Sequence, residues 1–396
     1  MKKALVFLLA VVFLAGIVGY NGYEVSADEL KVAKPKISVK AVDDSIKVTI
    51  KKTTNAEGFS IYIKGSEDKR YNIVASIEAS KKGKTRYTIK GLVDDSYRVR
   101  VRASNGLTYS KYSKGKKVTV YTKDLGLEAV NNARELGGYV NREGKTIKRG
   151  VFLRTAKLAT ATEADLKKLT EEYNLGVVVE LRAPVEIELD ENPDPEIDGV
   201  KQVNLPIMSN EEYGKIGTAL NEYVEKNKES GIEDPLLIEH ALLYSGKFND
   251  DMYINFLSAE NGIANFKQFF NEILELPEGK SILFHCSQGK DRTGCCAMLI
   301  MYALDMDDEK VVSDFLKTNE YNAASIEADI EKYTAMGVED DELEGILTAR
   351  SRVSEKFFRN AIDWMYKEYG SPLGYITEEL GITDDQIEEL RNRFLE

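Results

Sequence analysis

The sequence predicts a two-domain protein: an all-β sandwich followed by an α/β domain whose central sheet is flanked by helices. A chain of 396 residues is long for one compact domain. Near residue 124 the hydrophobic pattern changes from a period of two residues to one of three or four. The charge changes sign at the same place. Residues 28–123 contain 23 Lys and Arg against 10 Asp and Glu, whereas residues 124–396 carry a net charge of −26.

Residues 1–27 have the order of regions found in a secretory signal peptide. Lys2 and Lys3 precede an uncharged run from Ala4 to Gly19, and "VSA" at 25–27 offers small residues for cleavage. We therefore expect a secreted or cell-surface protein. A retained anchor is the alternative, because the run is slightly long for a signal peptide. The three cysteines cannot form a disulfide framework.

Strict alternation of apolar and polar residues predicts antiparallel strands between residues 36 and 121. Turn residues separate the runs at "GSEDK", "KKGK", "VDDS" and "SNG". Short strands at this spacing favour a β-sandwich. The residues expected on its inner face are Ile46, Val48, Ile50, Phe59, Ile61, Ile63, Tyr97, Val99, Val101, Ala103, Val118 and Val120.

The segment "YTIKGLVDDSYRVRVRASNGLTYSKYS", residues 87–113, resembles the last three strands of a fibronectin type III module, and the resemblance covers residues 35–122. It implies that Leu92 and Tyr97 pin the corner between two strands, and that the module is a spacer or an adhesive unit. Its basic charge favours an anionic cell-wall polymer or membrane surface as partner, with a solvated surface as the alternative. We expect no nucleic acid partner.

Strands and helices alternate after Asp124. "YNLGVVVEL" and "KSILFHC" are apolar runs rich in β-branched residues, whereas "NFKQFFNEIL", "CCAMLIMYALDM" and "EKFFRNAIDWMYKEY" have helical spacing. Strand followed by helix, repeated, predicts a sheet with helices packed on it.

The stretch "HCSQGKDRTGCC", residues 285–296, lies at one of these strand-to-helix junctions. Free N–H groups of such a loop, together with the helix dipole, attract an anion. Arg292 supplies a planar fork that matches two oxygens of a tetrahedral oxyanion. Cys286 lies at the base of the loop, where the positive field favours the thiolate. A nucleophile inside an anion site predicts attack on a phosphate monoester through a cysteinyl-phosphate intermediate.

Other loop residues have predicted supporting roles. Thr293, near the start of the helix, places a hydroxyl close to the sulfur, and Gly289 and Gly294 let the backbone approach the oxyanion. His285 orders the loop by hydrogen bonds, and Lys290 adds a second cation at the rim. The predicted phosphate-binding residues are Ser287, Gln288, Gly289, Lys290, Thr293 and Gly294.

The pattern "HCxxGKDRTG" resembles that of the atypical bacterial tyrosine and lipid phosphatases of the cysteine-dependent tyrosine phosphatase superfamily. "NARELGGY" at 132–139 is similar to the opening "NFRDLGGY" of that family, and "GVFLRTAKL" carries Arg154 as a supporting residue. The resemblance covers residues 126–396. It implies a secreted enzyme acting on phosphotyrosine, sometimes on phosphoserine or phosphothreonine, and on phosphoinositides, with no cofactor and no metal.

One departure from that family concerns the general acid. The family has "DLR" where this chain has "ELR", Glu180 to Arg182. A glutamate can transfer the proton but reaches about one methylene further. Asp291 in the loop is the other candidate, and we favour it. The alternatives are structural: Glu180 pairs with Arg182 or Arg154, and Asp291 orients loop amides.

Several alternatives remain open from sequence alone. Residues 208–248 have helical spacing and form either a lid beside the site or a packing insertion. Cys295 and Cys296 are expected to pack as small apolar residues, or Cys295 traps an oxidised Cys286. The alternative substrates are phosphoinositides and inositol phosphates. Rhodanese-type sulfur transfer is disfavoured by the six-residue step from Cys286 to Arg292. A surface-binding protein acting through the basic sandwich is the non-enzymatic alternative.

Overall fold

Two units make up the chain, Met1–Thr122 and Lys123–Glu396. The computed structural model describes residues 31–42, 45–93, 95–230 and 236–396. The predicted leader at residues 1–27 lies outside the described residues. Among the helices within those ranges, none has the length and apolar composition that crossing a membrane requires.

The first unit is a β-sandwich of two antiparallel sheets with the strand orders β1-β2-β5 and β4-β3-β6-β7. Side chains from both sheets form one apolar core. The fold class predicted for this part of the chain is therefore confirmed. The strands are β1 Ile37–Val42, β2 Ser45–Ile50, β3 Gly58–Lys64, β4 Asn72–Glu78, β5 Thr85–Ile89, β6 Asp95–Ser104 and β7 Lys116–Val120.

Alternation along the strands decides which residues fill this core. In β6 the apolar residues from Tyr97 to Ala103 are buried, whereas the arginines between them lie on the outer face. Of the twelve residues predicted to face inward, eleven are buried and Val118 is half-buried against the core. The Tyr97 hydroxyl donates to the carbonyl oxygen of Val93 at 3.1 Å, and Leu92 packs on the core, so both residues hold the corner.

The second unit is an α/β domain whose five-stranded sheet has the order β11-β10-β12-β9-β8. The pairs among β9, β10, β11 and β12 are parallel, and β8 is antiparallel to β9. The strands are β8 Arg134–Glu135, β9 Phe152–Thr155, β10 Leu175–Glu180, β11 Lys201–Asn204 and β12 Ser281–His285. The helices are α1 Glu163–Lys167, α2 Pro184–Glu188, α3 Asn210–Ser230, α4 Leu237–Tyr244, α5 Met252–Ser258, α6 Glu260–Leu274, α7 Arg292–Ala303, α8 Asp308–Tyr321, α9 Ala323–Ala335, α10 Asp340–Arg350, α11 Glu355–Tyr369, α12 Pro372–Gly374 and α13 Asp384–Phe394.

Both faces of this sheet are buried, as parallel strands require. In β12, Ile282 and Phe284 belong to one apolar cluster and Leu283 belongs to another. Val178 of β10 likewise lies in a different cluster from its neighbours Val177 and Val179. The near-continuous apolar runs that predicted these strands therefore result from burial on two sides.

The strand register positions the candidate site. Glu180 of β10 pairs with His285 of β12, which pairs with Thr155 of β9. Parallel strands that end in register bring the segments after them to the same edge of the sheet. Ligands of open α/β sheets bind at this carboxyl edge.

Candidate active site

The loop from Cys286 to Asp291 connects β12 to α7, which begins at Arg292, one residue earlier than expected. The backbone N–H groups of the seven residues 287–293 donate no hydrogen bond to any residue that the structure describes. Free N–H groups at a helix N-terminus form an anion-binding site, and the helix dipole adds to their positive potential.

The carbonyl groups of this loop are held on its outer side. The Asn132 side-chain amide donates to the carbonyl oxygens of Gly289 at 2.9 Å and Gln288 at 3.2 Å. One guanidinium nitrogen of Arg154 donates to the Gly289 carbonyl oxygen at 2.9 Å. Since the N–H and C=O groups of a planar trans peptide point in opposite directions, these bonds turn the N–H groups inward.

Gly289 of the loop and Gly294 of the first turn of α7 both lie against the protein behind the loop. Gly289 has φ +64°, and a Cβ there would lie 2.2 Å from the Thr155 carbonyl oxygen of β9. A Cβ on Gly294 would lie 3.0 Å from the Phe315 ring. Close packing therefore requires both glycines, and their approach to an oxyanion stays a prediction.

The three cysteines differ in their surroundings. Cys286 lies at the start of the loop and is 3% exposed, whereas Cys295 and Cys296 in the first turns of α7 are fully buried. Burial raises the pKa of both Cys295 and Cys296 well above that of an ordinary thiol. Thr293 is also fully buried, and its hydroxyl has no hydrogen bond partner among the described residues.

Glu186 is a site residue that the sequence interpretation missed. Its carboxylate pairs with both terminal nitrogens of Arg292, at 2.7 and 3.0 Å, and accepts from the Ser287 hydroxyl at 2.6 Å. Burial opposes its ionisation, but Arg292 outweighs burial and lowers the pKa of the Glu186 carboxyl. Glu186 lies in the short helix that follows "ELR", so its position just after the end of β10 was the available signal.

Asp291 faces the site from the N-terminus of α7. Its Oδ1 accepts from the hydroxyl of Tyr253, which is buried in α5, at 2.8 Å.

The predicted position of Lys290 at the rim is wrong, because this side chain is only 3% exposed. Its amine donates to the carbonyl oxygens of Thr348 at 2.6 Å and Arg352 at 3.2 Å, which hold it against the segment at the end of α10.

Glu180 belongs to an ion cluster with Arg182. The guanidinium contacts Glu180 and Asp194 at 2.6 Å each, and both ring nitrogens of His285 lie 3.9 Å from these carboxylates. Burial opposes ionisation, but His285 and Arg182 outweigh it and lower the pKa of the Glu180 carboxyl. We expect His285 to order the loop by hydrogen bonds. Its Nδ1 atom has no hydrogen-bond partner among the described residues, so this atom does not contribute to that ordering.

This cluster also brings together three side chains that could offer one metal-ligand atom each: Glu180, Asp194 and His285. The sequence contained no recognisable spacing for them, since they come from different segments. Arg182 already donates to the two carboxylates. A cation in contact with these oxygens disfavours a second one at the same place, so we interpret the group as an ion-pair cluster.

A buried charge cluster lies behind the loop. Arg154 pairs with Asp314 of α8 at 2.7 Å, and the Arg134 Nε lies 3.5 Å from the same carboxylate. Burial opposes ionisation of Asp314, but the two guanidinium groups outweigh it and lower the pKa of this carboxyl. Burial and the adjacent Arg134 lower the pKa of Arg154 to about 10. Asp314 therefore fixes the arginine that holds the Gly289 carbonyl.

A cavity of about 240 Å³ opens beside Asp291 and Arg292. Its walls come from α3, α4 and α5 and the segments next to them, so helices from the 208–248 segment do lie beside the site. The apolar side chains that line it include Met208, Tyr213, Ile216, Leu242, Phe248 and Phe256. The arrangement therefore combines an anion cradle, a thiol at its base and an apolar chamber next to it.

Replacement of Asp314 by Asn should destabilise the second unit by about 3–5 kcal/mol, because two buried arginines lose their counter-charge. Trp364 is the single tryptophan of the chain and packs against the core of this unit, so its fluorescence during urea unfolding measures the effect. Glu309→Gln on the same helix is the control, because this exposed pair with Arg359 should contribute less than about 1 kcal/mol.

The same measurement has an expected pH dependence. Because the folded-state pKa of Asp314 is lowered, its contribution is complete above the unfolded-state value of about 3.9. The contribution is lost as the pH falls further, so the difference between wild type and Asp314→Asn should shrink there. A difference that stays constant as the pH falls well below about 3.9 would contradict the ion-pair assignment.

Alkylation by iodoacetate at neutral pH should label Cys286 and leave Cys295 and Cys296 unmodified, as read by mass spectrometry of peptides. The carboxylate of the reagent occupies the cradle, and the two other thiols are fully buried with raised pKa. Inorganic phosphate should slow the labelling of Cys286. Equal labelling of all three cysteines, or no protection by phosphate, would show that the loop does not hold an anion beside the sulfur.

Comparison with known proteins assigns the second unit to a protein family. The model of the tyrosine phosphatase family matches residues 125–396. A Cupriavidus necator protein named as a tyrosine-protein phosphatase is 26% identical over 275 residues, which cover 69% of this chain and 88% of that protein. The triple specificity protein phosphatase PtpB of Mycobacterium tuberculosis is 26% identical over 128 residues, 30% of this chain and 46% of that protein.

Among solved structures, a fibronectin type III domain of a human protein is 17% identical, with coverage of 26% of this chain and 88% of that domain and a TM-score of 0.21. The family match spans more than half of the chain and includes the whole cradle with Cys286, Arg292 and their surroundings. The chain therefore belongs to the tyrosine phosphatase family, and its second unit is a phosphatase.

Proposed function

We propose that this protein is an exported phosphatase that hydrolyses phosphate monoesters, phosphotyrosine first, through a cysteinyl-phosphate intermediate. The observation that carries the proposal is the row of free N–H groups from Ser287 to Thr293, with Cys286 at its start and Arg292 at the first position of α7. Donors arranged in advance around an oxyanion stabilise the charge that develops in the transition state.

In the first step the Cys286 thiolate attacks phosphorus, and the bond from phosphorus to the ester oxygen breaks. The loop N–H groups and Arg292 bind the three non-bridging oxygens, and Glu186 holds the guanidinium in place. Protonated Asp291 gives its proton to the leaving oxygen, with its carboxyl group oriented by the Tyr253 hydroxyl.

In the second step a water molecule attacks the phosphorus of the cysteinyl phosphate. The Asp291 carboxylate removes a proton from this water, and the S–P bond breaks. The Thr293 hydroxyl, which has no hydrogen-bond partner among the described residues, donates to the departing sulfur. Inorganic phosphate leaves, and both the thiolate and the protonated acid are restored.

Phosphotyrosine suits the site because its phosphate and its ring require different environments. The apolar chamber beside Arg292 offers burial to an aromatic ring, which contributes by the hydrophobic effect. The alternative substrates, phosphoinositides and inositol phosphates, carry additional phosphates, which a second cation at the rim would bind. The burial of Lys290 removes that argument. Export rests on the predicted leader at residues 1–27.

Phosphate release from a phosphotyrosine peptide should be abolished in Cys286→Ser, with a loss of at least about 1,000-fold in kcat. Cys296→Ala, which removes another thiol of the same helix region, is the control and should retain activity. Trp364 fluorescence verifies that each variant is folded. The panel also contains a phosphoserine peptide, a phosphatidylinositol monophosphate and an inositol polyphosphate, and kcat/KM should be highest for phosphotyrosine.

Two outcomes of this panel would contradict the proposal. A higher kcat/KM for the phosphatidylinositol or inositol substrate would assign the site to those molecules. Absence of release from every substrate by the folded wild-type chain would mean that the cradle binds an anion without reacting, and function would then be sought in the basic sandwich.

The general acid can be identified by leaving-group dependence. Asp291→Asn should lower the rate on phenyl phosphate, whose leaving group needs a proton, by about 100-fold or more, and lower the rate on p-nitrophenyl phosphate much less. Glu180→Gln should change both rates by the same factor, because Glu180 is committed to Arg182. The reverse pattern would make Glu180 the acid.

A further inference from the structure

A basic surface covers the outer side of the β4-β3-β6-β7 sheet of the sandwich. Lys64 of β3, Arg98 of β6 and Lys117 of β7 are in register across three neighbouring strands. Arg100 and Arg102 continue the same side of β6, because the residues between them point into the core. We define these five residues as the basic face.

Two arginines of the basic face are held by tyrosine rings. The Arg100 guanidinium lies 3.9 Å from the ring centres of both Tyr71 and Tyr112. Arg102 lies 4.6 Å from the ring centre of Tyr109, and its Nε donates to the Ser110 carbonyl oxygen at 3.0 Å. Stacking on aromatic rings fixes the plane of a guanidinium without neutralising its charge.

The basic face is not neutralised by ion pairs with the residues that the structure describes. Within the described part of the chain, none of its five residues forms an ion pair with a carboxylate. Like charges directly opposite each other on neighbouring strands destabilise a sheet. The arrangement is therefore unfavourable for the folded sandwich alone, and an anionic partner would relieve it.

We propose that the basic face binds a linear polyanion whose repeating unit is a phosphodiester. Residues two apart in a strand are about 6.7 Å apart, so Arg98, Arg100 and Arg102 form a row along β6 at this spacing. Lys64 and Lys117 flank Arg98 on the neighbouring strands, about 4.8 Å away on each side. A polymer with three carbon atoms between successive phosphodiesters can offer one phosphate to each arginine along β6. The planar arginine fork matches phosphate oxygens.

The tyrosines argue against nucleic acid as the partner. Proteins that bind single strands use aromatic rings as platforms on which successive bases stack. Tyr71 and Tyr112 are half-buried, and Arg100 is packed against both rings, whereas Tyr109 beside Arg102 is exposed. Two of the three rings are therefore not available as platforms for bases, which favours recognition of a polyanion through its phosphates.

Binding of a fluorescent poly(glycerol phosphate) chain to the full-length protein tests the proposal. With three phosphates bound along β6, the affinity should fall by about 20-fold between 50 and 200 mM salt. Arg98→Gln with Lys117→Gln should weaken binding at 50 mM salt by about 10-fold or more. It should also make the slope of log K against log salt shallower by about 0.7, since the phosphate contact at Arg98 is lost.

The opposite sheet offers a matched control. Lys40 and Lys47 are an exposed, directly opposed pair on β1 and β2, so Lys40→Gln with Lys47→Gln removes the same charge from the other side of the sandwich. This control should change the affinity by less than about 3-fold and leave the slope unchanged. Phosphatase activity should be the same in both double variants, because the basic face is in the other unit.

Three results would overturn the proposal. Equal weakening by the two double variants would show that binding depends on net charge and not on the basic face. Tighter binding of a single-stranded oligonucleotide or of anionic lipid vesicles at equal phosphate concentration, lost in Arg98→Gln/Lys117→Gln, would assign the face to that partner. No binding of the polymer at 50 mM salt would exclude this ligand class.

Discussion

The direction of the carbonyl groups in the loop after β12 is the constraint on which the site depends. An anion can enter the cradle only if the N–H groups point inward, so the carbonyl oxygens must be bound outside. Asn132 and Arg154 bind them there, and Gly289 allows the loop to lie against β9 closely enough for these bonds. A side chain at Gly289 would collide with the backbone of Thr155 and move the loop away from both donors.

Arg154, one of the two donors that bind the loop carbonyl groups, is itself held by buried charges. Arg154 is fully buried and reaches the loop because Asp314 lies between it and Arg134. Such a cluster contributes little net stability, since the desolvation of the charges opposes their attraction. Its effect here is to fix the position of Arg154, and with it the loop, before an anion binds. Little rearrangement of the loop therefore accompanies binding. Glu186 likewise fixes the position of the Arg292 guanidinium before an anion binds.

The second unit concentrates its anion recognition in one place. Its residues 124–396 carry a net charge of −26, and the Lys290 side chain is buried. Its recognition of an anion therefore relies on backbone N–H groups and one arginine, with apolar walls beside them. The sandwich has the opposite charge, with cations on the outer face of one sheet, which favours contact with an extended anionic partner along the strands.

Features that depend on neighbours along the chain were predictable from sequence alone. Alternation indicated the inner face of the sandwich, and the six-residue step between Cys286 and Arg292 puts them at the two ends of one loop. The partners of these residues depend on tertiary structure. Glu186 reaches the loop because β10, which precedes it, lies beside β12 in the sheet. Tyr253 reaches the loop because α5 packs next to the start of α7. The sequence also does not show that the Lys290 amine binds carbonyl groups at the end of α10, or that Glu180, a candidate acid, pairs with Arg182. Periodicity records which side of a strand or helix is buried, whereas the choice among several possible partners is made only when distant segments pack together.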